Sequence, residues 1–229
     1  MPWEDVTRSI VGRFGATLGV TFEPGASVAR AALGSISPAV VFALLSGLPW
    51  AMLWGVVPFT HTLLFGPSFQ ITVVANVSTP VWLDVGRAVG LGVALSLLSF
   101  LSWAVPFASL SAAFLAEQGR AQEARRAAWR SALYRGWVIP CGLALWSLVL
   151  WASPAEPSAL VIELAIIVCQ LAPRLLVLVH CHTLARYLGA SYGGALVVSL
   201  VPLLVDWAAG MWLSELAKTF LPVQAQAGG

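Results

Sequence analysis

Over its 229 residues the chain is 59% hydrophobic and only 10% charged, with a mean hydropathy of +0.86, whereas soluble domains are ~25% charged. Twelve Lys and Arg against ten Asp and Glu leave a net charge of +2, too few charges to cover a water-facing surface and too balanced to select a polyanion. A water-soluble enzyme, a nucleic-acid binder and a disordered chain are excluded, and an all-α polytopic membrane bundle, which tolerates Gly and Pro and places Trp at its interfaces, is what remains.

Residues 1–35 read as a cytoplasmic segment. Trp3, Val6, Ile10, Phe14 and Leu18 recur every three or four residues, with Glu4, Asp5, Arg8, Ser9 and Arg13 on the other side. That spacing predicts an amphipathic helix lying in the interface plane. Early acids and the lack of an apolar run next to Met1 argue against a cleavable secretory signal.

A membrane crossing needs ~20 mostly apolar residues. Charge-poor stretches predict five, at about 36–57, 88–112, 137–153, 159–184 and 190–213. Residues 58–84 lack charge until Asp84 but are interrupted by Gly66-Pro67 and Pro80. They read as an interfacial loop, with a re-entrant segment as the alternative. The connection 117–136 carries Arg120, Arg125, Arg126, Arg130 and Arg135 against Glu117 and Glu123, and reads as a basic cytoplasmic loop with a solvated face. Residues 214–229 form a non-cytoplasmic tail. Arg8, Arg13, Arg30, the five Arg of 117–136 and Arg186 fall on one side, and Lys218 on the other. By the positive-inside rule the N-terminus is inside and the C-terminus outside.

Ionisable groups within spans are costly, ~2.5 to 3.5 kcal/mol each on insertion scales, and so mark candidate sites. They are Glu163, Arg174, His180 and Asp206. A hairpin turning near Tyr187 sets Arg174 and Asp206 at depths ~9 Å apart, so that pairing is possible in reach but not implied. An interhelical tie is weighed against a permease or channel-like role for Arg174, Asp206 and His180. His180-Cys181-His182 resembles a metal triplet only in the linear sequence, because consecutive helical residues diverge by ~100°. No metal or cofactor is expected. Cys141, Cys169 and Cys181 read as small apolar filling. The zincin, Walker A, dinucleotide and serine-elbow motifs are missing, so the chain reads as a non-enzyme. Trp3, Arg8, Arg13, Arg125, Arg126 and Arg130 are the residues expected to meet lipid or a partner.

The layout resembles bacterial members of the Yip1-domain family. The resemblance rests on Pro2-Trp3-Glu4, Phe22-Glu23-Pro24, Ser131-Ala132-Leu133-Tyr134 with Pro140, and Gly189-Ala190-Ser191 with Ala195 and Pro202, in order along the chain. It implies five spans, a cytoplasmic N-terminus and a role in trafficking or membrane shaping. The Asp-Leu-x-Gly-Pro signature of the eukaryotic relatives is absent, so their Rab binding is not carried over. Eleven Arg to one Lys points to a GC-rich bacterial source and hence to its inner membrane. The expected partners are membrane lipids and a membrane or peripheral protein, with a homo-oligomer left open and no nucleic acid.

Overall fold

A computed structural model describes residues 1–23, 34–65, 81–116, 119–152 and 159–220. Among these the chain is all-helical, with four helices long and apolar enough to cross a membrane, as expected of an integral membrane protein. A 3₁₀ turn, Pro2–Glu4, precedes α1 (Ile10–Thr21), α2 (Ser37–Phe65), α3 (Val81–Ala116), α4 (Ala121–Arg135) and α5 (Val138–Ala152). The chain then passes through α6 (Ala159–Ala165), a π-helical stretch (Ile166–Leu171), α7 (Ala172–Tyr187) and α8 (Tyr192–Phe220).

The candidate spans are Ser37–Val56, Val85–Phe114, Glu163–Tyr187 and Tyr192–Trp212. The expected third span at 137–153 corresponds to α5, which is described from Val138 to Ala152, and residues 153–158 lie outside the described residues. Helix α2 continues past the predicted end at residue 57, to Phe65. Of the expected loop 58–84, residues 66–80 lie outside the described residues, as do 24–33 of the N-terminal segment and the end of the tail.

The expected amphipathic helix takes a different form. Ser9 caps α1, its Oγ accepting from the Gly12 amide at 3.1 Å, so the helix starts at Ile10 rather than near Trp3. Between the 3₁₀ turn and α1 the chain bends, and the predicted apolar stripe splits. Trp3, Phe14 and Leu18 pack inward against Phe42 and Tyr134, whereas Val6, Ile10 and Val11 are exposed, Val11 by 82%.

The connection 117–136 also departs from its expected solvated face. Helix α4 buries Ala124, Ala127, Ala128, Ser131 and Ala132 at helical spacing, together with Arg130, Tyr134 and Arg135. Small alanines allow close approach to Trp103, Ala104 and Phe107 of α3 and to Val177, Cys181 and Leu184 of α7, forming one core. A second core joins Trp3 to Ala39, Phe42, Tyr134, Trp137 and Val138.

Helices α7 and α8 form a hairpin whose turn is written in three residues. Gly189 has φ +98°, and the Ala190 amide bonds back to the Ala185 carbonyl at 3.0 Å, a Schellman ending that favours glycine. Ser191 Oγ then accepts from the Gly194 amide at 3.1 Å and starts α8. Because Phe114 lies against Gly194 while Ser99 bonds Asp206, α3 and α8 run antiparallel. One end of the bundle therefore gathers α1, α4, the start of α2, the end of α3 and the α7–α8 turn. Most of the arginines lie at this basic end.

Candidate functional sites

Two polar clusters occupy the otherwise apolar bundle. The first joins α3, α7 and α8 within the spans. Arg174 Nε donates to Asp206 Oδ2 at 3.1 Å and the Ser99 hydroxyl to Asp206 Oδ1 at 2.8 Å, while the single hydrogen of Ser102 Oγ is shared between Oδ1 at 2.9 Å and the Ser99 carbonyl at 2.7 Å. Asp206 is 2% exposed and the Arg174 side chain 21%. Two full donors and one shared donor offset much of the cost of holding the carboxylate away from water.

Arg174 also faces its own backbone, beside Pro173 and the π-helical stretch. Proline has no amide hydrogen, so the helical pattern across residues 168–173 cannot close. Arg174 Nη1 supplies a donor to the Gln170 carbonyl at 3.0 Å. On the opposite side the Cys169 carbonyl fits against Gly142 of α5, where an added Cβ would collide with it and come within 2.7 Å of Pro173 Cγ. Gly142 is thus a contact glycine, chosen for the missing side chain.

The second cluster lies at the basic end. Glu4 accepts from Arg130 Nη2 and, through the same Oε1, from the Tyr134 hydroxyl at 2.8 Å. Trp3 meets Phe42 and Phe14 edge-on at 5.8 and 6.4 Å, and the Arg13 guanidinium lies 5.5 Å from its ring centroid. Burial acts to raise the Glu4 pKa, but the bonds from Arg130 and Tyr134 and the Arg130 charge outweigh it and hold the carboxyl below its ordinary value. Burial, then the bond to Glu4, pushes the Tyr134 phenol up, so it remains a donor.

Behind this pair, Ser131 donates to His180 Nε2, and Arg135 Nη1 approaches the same nitrogen at 3.0 Å. A guanidinium can only donate. Nε2 is therefore the acceptor and the ring is neutral with its hydrogen on Nδ1, for which there is no hydrogen-bond partner among the described residues. Arg135 Nη2 reaches the Thr21 carbonyl at 3.3 Å, tying α4 to α1. Burial pushes Arg135 down to about 9, which leaves it a cation at neutral pH. Ser131 and His180 are both fully enclosed. With its Nε2 lone pair shared between two donors, His180 acts here as an acceptor that positions Arg135.

No family model, no curated protein and no solved structure matches the chain.

The residues singled out from sequence divide clearly. Arg174 and Asp206 meet, and His180 joins the other cluster, while Glu163 is exposed on α6. Arg125 and Arg126 are exposed on α4, and Arg8 is exposed but engaged with Asp5 at 3.1 Å. Trp3 and Arg130 are buried, so neither faces lipid or a partner in this structure, and Arg13 is half-buried against Trp3. His180 and His182 face different neighbours, the latter meeting Tyr192 at 5.5 Å. Among the described residues no three metal-ligating side chains converge.

The sequence reading placed Glu4 on a solvated face and passed over Ser99, Ser102, Ser131, Tyr134 and Arg135 as site residues. A signal existed for some of them. Ser96, Ser99 and Ser102 mark one helical face of a charge-free span, and Arg130 and Tyr134 share a face by i,i+4 spacing.

Proposed function

We propose that the protein is a non-enzymatic integral membrane protein, Yip1-like by resemblance, that organises lipid or a partner at the cytoplasmic leaflet. The observation that carries this reading is the outward face of α1. Ile10, Val11, Gly15 and Gly19 are exposed there, while Phe14, Thr17, Leu18 and Thr21 turn inward. A 12-residue helix extends only ~18 Å, too short to cross, and an apolar outer face is poorly suited to water. Such a helix is stable half-sunk in one leaflet, as interfacial helices are. Val6 and Phe22 extend the apolar face at either end.

In this reading α5 is the fifth span. The arginines at the basic end make that end cytoplasmic, and an odd number of crossings puts the C-terminus outside. The transport alternative has less support. The Asp206 carboxylate is bonded from α3 and α7 and its charge is offset by Arg174, an arrangement suited to fastening three helices.

Spin labels at Val11→Cys and Gly15→Cys, with Cys141, Cys169 and Cys181 replaced by Ala, test the leaflet position in nanodiscs. Greater accessibility to oxygen than to a water-soluble nickel complex is expected at both sites. The reverse order would refute it.

A further inference from the structure

The Pro2–Glu4 turn sits on the bundle as a ligand sits in a site. It is attached by the Trp3 ring, held among Phe14 and Phe42, by the Glu4 carboxylate, held by Arg130 and Tyr134, and by Met1, which packs on the same core and whose ammonium donates to Glu4 Oε2 at 3.4 Å. The bend that follows is closed on itself. Asp5 accepts from the Thr7 amide and hydroxyl and from Arg8 Nε, at 3.1, 2.6 and 3.1 Å. These bonds are all exposed and none pins the bend to the bundle.

The receiving site is shaped for an anion. The Arg130 side chain is fully enclosed while Glu4 remains 26% exposed, so the guanidinium forms the floor and the carboxylate fills the mouth. Gly34, at φ +106°, makes room for that floor, since a Cβ there would lie 2.8 Å from Arg130 Nη2. Arg130 Nη2 and the Tyr134 hydroxyl, both directed at one carboxylate oxygen, form a donor set that would also suit a phosphate oxygen. Arg13 lies beside the mouth over Trp3, and Arg126 is exposed one turn before Arg130.

We propose that Arg130 and Tyr134 form a site for the phosphate of an anionic lipid headgroup, and that Glu4 is a built-in competitor occupying it. This rests on the leaflet position of α1 proposed above, which sets the mouth at headgroup height. A tethered carboxylate has a millimolar effective concentration. Lipid confined to the adjoining leaflet is concentrated enough to compete with it. Displacement would release Glu4 and Trp3 together, joining headgroup binding to exposure of an aromatic anchor.

The test uses the full chain in nanodiscs of phosphatidylcholine with graded phosphatidic acid. Native mass spectrometry reads the phosphatidic acid retained, and hydrogen exchange reads the peptide containing residues 1–8. Removing an internal competitor raises apparent affinity by the inverse of the fraction previously open. Glu4→Gln keeps the acceptor oxygen but loses its charge, so it weakens the competitor and is expected to retain phosphatidic acid at about fivefold lower mole fraction. Arg130→Lys, which keeps the charge and loses the fork, and Tyr134→Phe should each weaken retention, with melting curves to verify folding. Phosphatidic acid should also raise exchange in residues 1–8 of the unsubstituted protein. Unchanged retention by Glu4→Gln would overturn the site. Equal opening by inorganic phosphate in phosphatidylcholine discs would overturn the assignment to lipid. Labels at 11 and 15 reporting lipid while Glu4→Gln has no effect would fail the site alone. Labels reporting water would fail the leaflet reading itself.

Discussion

The two polar clusters solve the same difficulty, a buried arginine, in different ways. Arg174 has a dedicated carboxylate on the neighbouring helix, and two serines complete the acceptor's needs. At the basic end Arg130 and Arg135 are both enclosed, yet the carboxylate that meets Arg130 comes from a short turn at the edge of the fold, and Arg135 is met by a neutral imidazole and a backbone carbonyl. The first arrangement joins three long helices and has little reason to open. The second depends on a short segment at the edge of the fold, held by Met1, Trp3 and Glu4, and stability within the molecule should be correspondingly uneven.

The comparison breaks first at Asp206. Asp206→Ala leaves the Arg174 guanidinium without its counter-charge, and breaking a buried pair in this way costs about 3–5 kcal/mol. Replacing both residues with Leu should restore most of that loss, because an apolar pair needs no partner. Thermal unfolding in detergent measures both. A double variant as unstable as the single one would show that the pair does more than fasten helices. Next in size is Gly142→Ala, whose new methyl meets the Cys169 carbonyl. Overpacking of this kind costs about 1–3 kcal/mol, whereas Gly15→Ala, with open space around it, should be neutral or stabilising.

At the basic end the expected effects are smaller. Glu4→Gln removes charge from two hydrogen bonds at a partly exposed position and should cost about 1 kcal/mol. Its pH signature separates it from the span cluster. The folded Glu4 pKa is depressed, so the unfolded chain binds the proton more tightly and acid favours unfolding. The contribution is fully present above the ordinary value of 4.5 and is lost as pH falls through the lower folded value. Melting curves from pH 6 downward should converge for the unsubstituted protein and Glu4→Gln. The smallest effect is Ser99→Ala, about 0.6 kcal/mol, the average for a polar contact between membrane helices. Asp206 keeps two donors in that variant.

What could be read from sequence follows what each pattern depends on. Long apolar runs determine where membrane-competent helices occur, and four of the five expected spans reappear as such helices. The remaining one, at 137–153, is a helix from Val138 as far as the described residues reach, at Ala152. The meeting of Arg174 and Asp206 was only a possibility while the hairpin was set at Tyr187. The turn in fact spans Leu188 to Ser191. Arg174 is 13 residues before the end of α7 and Asp206 14 after the start of α8, so the depth mismatch shrinks from ~9 Å to ~1.5 Å. Gly189 was the signal that would have placed it. The N-terminal stripe failed for a different reason. Periodicity assumes one continuous helix, and Ser9 starts a new one, turning Val6 and Ile10 away from Trp3. Arg130 and Arg135 were counted as surface charge because composition carries no information about which side of a helix its neighbours cover.

The π-helical stretch has a consequence for how this chain tolerates insertions and deletions. Residues 166–171 advance by a wider turn than the α-helix on either side, so α6 and α7 are out of phase along one continuous rod. Deleting one residue there would leave the composition and the length almost unchanged. It would also let the rod relax to a uniform α-helix, rotating everything on one side by about 100° relative to the other. Either Arg174 would swing away from Asp206 or the Glu163 end would turn its exposed face onto its neighbours. A hydropathy plot would not register the change, yet the rod would have lost its angular alignment.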